Sequence, residues 1–358
     1  MPDWRESMTQ TFEYYVVDPG TWKDVRKLDN VKKCTINRDS SAETLGSATI
    51  DVTETVGECY VRVYMITIQN GVEEKHPLGT YLVQTPSSEF DGKTRNVSMD
   101  AYTPLLELKE KQPPIGYTIP KGQNAMTVAY QTIREQARAP VSKIEDSTAI
   151  LQYDFVAETN DTWLTYLSDL IANNKYVFDL DEMGRILFAP KQDTASLQPV
   201  WTYEDNEVSI LHSNISMDHD LYGIPNVVEV SYSSGTKNFS VTARNDDPNS
   251  PTSTVNRGRE IVRRLSNQDV TEYFILEPGN EAQLQEYANQ LLRTLSTIEY
   301  TITYTHGYCP VRVMDCIRMN YSKAGLTGIK AKVIKQSIEC DQGCPVTETA
   351  VFTAKLWG

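Results

Sequence analysis

Apolar and polar residues alternate, or apolar residues run together, at residues 11–17, 31–37, 48–52, 59–69 and 80–84, and again around 95–102. This period of two predicts strands. The breaks carry Asp18-Pro19-Gly20, Asn70-Gly71 and Asp91-Gly92, whose residues suit tight turns. The run Tyr60-Val61-Arg62-Val63-Tyr64-Met65-Ile66-Thr67-Ile68 followed by Asn70-Gly71 reads as a long strand entering a hairpin. Residues 1–110 therefore predict a meander or small β-barrel. Lys109-Glu110-Lys111-Gln112-Pro113-Pro114 ends it, because two prolines lack the donors a sheet uses.

The period then changes. Met126, Ala129, Ile133 and Ala137 place one apolar stripe on a helix over about 124–139, which Pro140 stops. A second helix over about 161–172 carries Trp163, Leu164, Leu167, Leu170 and Ile171, with Asp161 or Asn160 as its cap. Segments 175–179 and 185–188 flank a turn and predict a hairpin, so 111–205 reads as a small α/β domain.

Strands return at 226–232, paired through Ser233-Ser234-Gly235-Thr236 with 238–243. A loop rich in proline and small polar residues follows at 246–253. Asn280 and Gln283 form a helix-start arrangement, and Leu284, Tyr287, Ala288, Leu291, Leu292 and Leu295 support four to five turns. Segments 301–305, 311–319, 329–337 and 349–353 predict further strands. The expected fold is mainly β with α+β insertions. It has one barrel at 1–110 and a discontinuous second barrel at 206–243 and 299–358, interrupted by a loop-helix segment at 244–298.

Composition narrows the function. The 358 residues are 40% hydrophobic and 23% charged, which suits a folded chain with several cores. Forty-eight acidic against 34 basic residues give a net charge of −14. That balance opposes general affinity for nucleic acid or an anionic membrane, yet an acidic channel would let DNA pass without sticking. Residues 1–10 hold no apolar h-region and no stretch approaches a membrane span, so synthesis in the cytoplasm and no membrane insertion are expected.

Candidate chemistry is sparse. Phosphate-loop, zinc-protease, nucleophile-elbow and dinucleotide motifs are all missing. Asp179-Leu180-Asp181-Glu182-Met183-Gly184 has the acidity of a calcium loop, but Met183 and Pro190 stand where ligands are needed; a solvent-facing turn is expected. Ser234-Gly235-Thr236-Lys237 spells a serine–lysine pair at a hairpin turn. Cys34, Cys59, Cys309, Cys316, Cys340 and Cys344 lack compact zinc spacing and are expected as free thiols. Cys309 and Cys316 would face opposite sides of one uninterrupted strand, and a Cys340–Cys344 bridge would need an oxidant. His76 and His306 precede Pro77 and Gly307, turn settings, and His212 and His219 lack a local metal signature. No catalytic residue, metal or cofactor is expected, and a wall-processing enzyme using paired carboxylates is a weak alternative.

The ordered set Asn226-Val227-Val228-Glu229-Val230, the loop Asn245-Asp246-Asp247-Pro248-Asn249-Ser250-Pro251-Thr252-Ser253, the helix 284–295 and the strands after 301 resembles central hub proteins of phage tail baseplates and related contractile injection systems. The resemblance implies tube-like barrels and a homotrimer. That trimer would adapt a six-fold tail tube to a three-fold spike or tail tip around a central channel. Its implied partners are a tail-tube or distal tail protein, a spike or tip protein and baseplate wedge proteins. It implies assembly in the host cytoplasm and residence in a virion tail or released particle; another virion or secretion scaffold is the alternative. Arg244, Asp246, Asp247 and Asn249 become candidate interface residues. Met314 before Asp315 departs from the family's glycine-aspartate turn, and with the sequence running to Gly358 an appended wall hydrolase is not expected, any such enzyme being a separate partner.

Overall fold

The computed structural model describes residues 2–54, 56–90, 92–93, 95–144, 149–151, 153–192, 196–234, 237–266 and 280–354. The N-terminal alternation becomes β1 (Thr9–Val17), β2 (Asp24–Lys27), β3 (Val31–Asp39), β4 (Gly46–Val52), β5 (Tyr60–Gln69), β6 (Val72–Phe90) and β7 (Arg95–Tyr102). The middle holds β8 (Thr118–Ile119), helix α1 (Ala125–Gln136), β9 (Phe155–Val156), helix α2 (Trp163–Ala172) and the hairpin β10 (Tyr176–Leu180) and β11 (Ile186–Pro190). Then come β12 (Trp201–Glu204), β13 (Leu211–His219), β14 (Val227–Ser234), β15 (Lys237–Arg244) and β16 (Val262–Leu265). Helix α3 (Glu281–Leu295) precedes β17 (Ile298–Gly307), β18 (Cys316–Tyr321), β19 (Leu326–Glu339) and β20 (Pro345–Ala354).

The mainly β expectation with α+β insertions is met, but the two barrels are not formed. One sheet runs β13-β17-β20-β19-β3-β4-β7-β6-β5-β1-β2, with β18 joining β19 and β12 pairing β18. A barrel requires its first and last strands to pair. Here β3 uses one edge for β4 and the other for β19, through Lys335↔Asp39 to Glu339↔Thr35. That bond partner from the far end of the sequence leaves the sheet open between β2 and β13. The exposed edge strand β2 carries Asp24, Arg26 and Lys27, charges that discourage pairing. Strands β14 and β15, expected in the second barrel, instead form their own sheet with β16.

Two compact units divide the chain: residues 1–215 with 303–350, and residues 216–302 with 351–358. In the first, every residue from Tyr60 to Thr67 is buried, so β5 is covered on both faces despite its alternating letters. A second core in this unit gathers Met126, Ala129 and Ile133 of α1, Leu164, Leu167, Leu170 and Ile171 of α2, and Phe178 and Ile186 of the hairpin. Each large side chain withdrawn from water contributes about 1.5–3 kcal/mol before entropy. Asn124 caps α1 through Thr127 N–H. Thr162, rather than Asp161 or Asn160, caps α2 in a reciprocal box with Thr165; Asp161 accepts from Glu158 N–H instead.

The turn expected to face solvent at residues 179–184 is docked on the sheet. Trp22 Nε1–H donates to the Met183 carbonyl at 2.7 Å, Arg62 to the same oxygen at 3.1 Å, and Thr80 Oγ1 to the Glu182 carbonyl at 3.3 Å. Arg62 itself is buried, paired with Asp24 at 2.6 Å and bonded to Thr80 at 2.9 Å. Removing a guanidinium from water needs such partners, and the hairpin supplies part of them.

In the second unit, α3 lays Leu284, Ala288, Leu291 and Leu292 against Val228, Val230, Tyr232, Val241, Ala243 and Leu265. Asn280 Oδ1 accepts Gln283 N–H at 2.9 Å, as the sequence predicts. The 226–243 hairpin also forms, from Val227↔Arg244 to Ser234↔Lys237, while Gly235 and Thr236 lie outside the described residues.

Residues 311–315, expected within a strand, form a turn in which Arg312 N–H donates to the Asp315 carboxylate and Asp315 N–H to the Arg312 carbonyl. Met314 takes φ +78°, the backbone conformation that glycine adopts freely. Met314→Gly is expected to leave stability within about 1 kcal/mol, whereas the β-branched Met314→Val should cost about 1–3 kcal/mol. Urea midpoints of the two variants measure the difference.

Candidate functional site

Polar side chains occupy inward positions of two neighbouring strands in the first unit. Tyr304 and His306 alternate inward on β17, and Val346, Glu348 and Ala350 on β20. Glu348 accepts from Tyr304 Oη at 2.6 Å, Gln336 Nε2 at 2.6 Å and Tyr203 Oη at 3.2 Å, and faces His306 Nε2 at 3.4 Å. His306 Nδ1 lies 2.6 Å from the Gly307 carbonyl. Tyr203 Oη also lies 3.0 Å from Nε2, and with the Gly307 carbonyl at Nδ1 and the Glu348 carboxylate at Nε2 the setting favours a proton on both nitrogens. Burial alone lowers the His306 pKa, but hydrogen bonds to Cys309 and Glu348 and the Glu348 charge together raise it to about 10. Burial pushes Glu348 upward, yet the bonds and charge of His306, with Tyr304 and Gln336, hold it below its ordinary value. Tyr203 and Tyr304 are driven well above theirs, chiefly by burial.

The polar chain continues outward. Gln336 Nε2 also donates to the Val311 carbonyl at 2.8 Å, and its Oε1 accepts from Arg38 at 3.2 Å. Arg38 bonds the Leu78 carbonyl at 2.6 Å and faces Glu182 at 3.7 Å. Glu182 pairs with Arg312 at 2.8 Å, and Arg312 with Asp179 at 3.3 Å. Alternating charges therefore join β20, β19, β3 and the hairpin turn. The outer members border a cavity of about 390 Å³ whose wall includes Leu45, Leu78, Ile171, Phe178 and Met314.

Cys309, His306 and Glu348 have the order of a nucleophile, base and carboxylate, with Cys309 Sγ 3.9 Å from His306 Nδ1. All three are buried, and none lines that cavity. The arrangement pins strands and presents no thiol to a substrate. His306 is therefore not in the turn setting its neighbour Gly307 suggested, and His76 sits within β6, 3.0 Å from Thr67. Cys309 and Cys316 flank a loop instead of sharing a strand, and both are buried. Among the described residues no group of His, Cys, Asp and Glu is arranged to hold a metal.

The second unit holds the loop singled out in the sequence. Arg244 ion-pairs with Glu260 at 2.7 Å and Asp246 at 3.5 Å. Asp246 accepts from Thr254, and Asp247 from Asn249 N–H at 2.8 Å. These residues ride on a polar knot: Asn226, Asn245, Ser250, Thr252 and Ser253 are wholly buried. Asn226 donates to the Thr252 carbonyl at 3.2 Å and the Arg259 carbonyl at 3.0 Å, and accepts Ile261 N–H at 2.7 Å. Asn245 Nδ2 donates to Ser250 Oγ at 2.9 Å. The four candidate residues are thus held together on an ordered loop, with Arg244, Asp246 and Asn249 exposed. Asn226→Ala removes the side-chain partner of one buried and two partly buried backbone groups, so a loss of roughly 2–4 kcal/mol is expected. Faster proteolysis within 246–251 would accompany it.

No protein-family model and no curated protein sequence matches the chain. Solved structures do. A tail protein from Neisseria meningitidis MC58 aligns with TM-score 0.64 over 98% of both chains at 14% identity. The 43 kDa tail protein of prophage MuSo2 from Shewanella oneidensis aligns with TM-score 0.62 at 11% identity, over 95% of this chain and 98% of its own. A Francisella PdpA–VgrG complex aligns with TM-score 0.58 at 8% identity. The match covers 97% of this chain but 53% of that one, so this chain spans about half its length. The chain has the fold shared by these tail proteins and VgrG assemblies, and the resemblance to hub proteins read from residues 226–253 and beyond holds at that level.

Proposed function

We propose that this chain is a structural hub of a phage tail or contractile injection apparatus. The end-to-end correspondence with tail proteins of equal span carries this reading. The chain's order of strands supports a finer one. Two strand groups far apart in sequence, β1–β7 and β17–β20, lie in one open sheet. Three copies would present six such groups toward a six-fold tail tube while keeping a three-fold face for a spike or tip protein. The net charge of −14 suits the wall of a channel through which DNA passes without binding. Tail-tube or distal tail protein, spike or tip protein and wedge proteins are the partners, and assembly precedes release in a virion tail or tail-like particle. Arg244, Asp246, Asp247 and Asn249 form part of an interface with one of them.

The VgrG correspondence favours a secretion hub as the second reading. Cryo-electron microscopy of the intact particle tests both: three copies around the axis fit the adapter, and six equivalent copies exclude it. Asp246→Lys with Asp247→Lys should reduce incorporation into particles while leaving the isolated protein folded.

A further inference from the structure

Among the buried thiols of the first unit, Cys34 and Cys344 are wholly buried, and Cys340 is 8% exposed. The pairing Glu339↔Thr35 between β19 and β3 places Cys340 opposite Cys34 one step further along. Cys340 N–H donates to the Cys34 carbonyl at 2.9 Å. Opposed residues of an antiparallel pair project from the same face of the sheet. We propose that Cys34 and Cys340 are a cross-strand oxidation site that forms a disulfide when the protein meets an oxidising thiol buffer.

Cys340 and Cys344, the nearer pair in sequence, are separated by the turn Asp341-Gln342-Gly343, where Cys344 N–H donates to the Asp341 carbonyl and Cys344 takes φ +41°. No strand register opposes them. Cys34 and Cys340 occupy a hydrogen-bonded position, where Cα atoms lie about 5.5 Å apart. That is inside the range of about 4.4–6.8 Å that a disulfide spans. Cβ atoms at such positions are wider than the bond prefers, so the link is strained and readily reduced. It therefore forms under oxidising conditions and opens in a cytosolic glutathione pool. The neighbouring Cys34 thiol and burial raise the Cys340 pKa, which makes the reaction slow. One deprotonated cysteine attacks a sulfur of oxidised glutathione and expels one glutathione thiolate. The second cysteine, deprotonated, then displaces the other. Two S–H bonds are lost, one S–S bond forms, and two molecules of reduced glutathione appear. The bond covalently joins β3 to the end of β19. Its use on release from the cell rests on the hub reading; the thiol chemistry does not.

The test has two arms: native protein is incubated with oxidised glutathione, and urea-unfolded reduced protein is refolded in a mixture of oxidised and reduced glutathione. Free thiols are then blocked and peptides mapped without reduction. The expected product carries one Cys34–Cys340 link, four blocked thiols and an unfolding midpoint several degrees higher, and reverts with dithiothreitol. Cys34→Ser and Cys340→Ser should each abolish the link, and Cys344→Ser should retain it. A Cys340–Cys344 link, or six free thiols in both arms, overturns the proposal. The copy number in particles tests the hub reading separately, so the two can fail independently.

Discussion

Glu348→Gln is expected to lower stability by about 3–5 kcal/mol at pH 6, because it removes the counter-charge that lets His306 stay protonated inside the fold. Glu348 collects Tyr304, Tyr203, Gln336 and His306 at one carboxylate, and an amide cannot accept from all four. The pH dependence has a definite sign. His306 titrates near 10 in the folded chain and near 6.5 when unfolded, so its contribution is whole below 6.5 and fades as pH rises through 10. Glu348 is held below 4.5, so its contribution is whole above 4.5 and fades as pH falls through the folded value. In the variant, burial returns His306 to the neutral form. The gap between wild type and variant should be widest between pH 4.5 and 6.5 and narrow toward pH 10, as read from urea unfolding at pH 5.5, 8 and 9.5. A gap that does not change with pH would mean that His306 is neutral in the native protein.

Gly184→Ala should cost about 2–5 kcal/mol from two sources. The residue has φ +78°, which an L side chain adopts at roughly 1–2 kcal/mol. Its new Cβ would stand 2.7 Å from Thr80 Cβ and 3.1 Å from the Trp22 ring, an overpacking of roughly 1–3 kcal/mol. Thr80 cannot yield easily, because its Cβ is fixed by β6. Gly223→Ala separates the two terms: φ is +72° there with nothing within 4 Å of the added carbon, so only the conformational part should appear. Equal losses in the two variants would show that the 181–184 turn is not held against β6. The larger expected loss at Gly184 would also weaken the docking of Arg62, which shares the Met183 carbonyl with Trp22.

Much of the local structure is legible from the letters. Helices α1, α2 and α3, the hairpins 176–190 and 227–244, and the cap at Asn280 follow from spacing and turn chemistry acting over a few residues. Their causes are local: a stripe recurs every three or four positions, and a short polar side chain satisfies a free amide. The loop at 246–253 was legible as a loop too, although nothing in the letters says that Asn226 and Asn245 beside it are wholly buried. The inward places of His306 and Glu348 had a faint signal, since each falls in phase with apolar neighbours on its own strand, Ile302 and Tyr304 or Val346 and Ala350. Nothing in either segment says that the two strands adjoin.

Tertiary structure alone decided that partnership, and it decided the sheet. Alternation states which face of a strand is apolar and is silent about which strand lies beside it. Each edge of β3 can be satisfied by any compatible strand. The choice of β19, nearly three hundred residues away by the pairing of Arg38 with Gln336, turned two expected barrels into one open sheet. The same long-range choice brought Cys34 opposite Cys340 and carried the charges of β20 through Gln336 to Arg38 and the hairpin turn. The sequence by itself determined the elements, because hydrophobic period and capping act over a few residues. Only the folded chain decided their neighbours, because strand pairing is settled by the joint burial of side chains that lie far apart along the sequence.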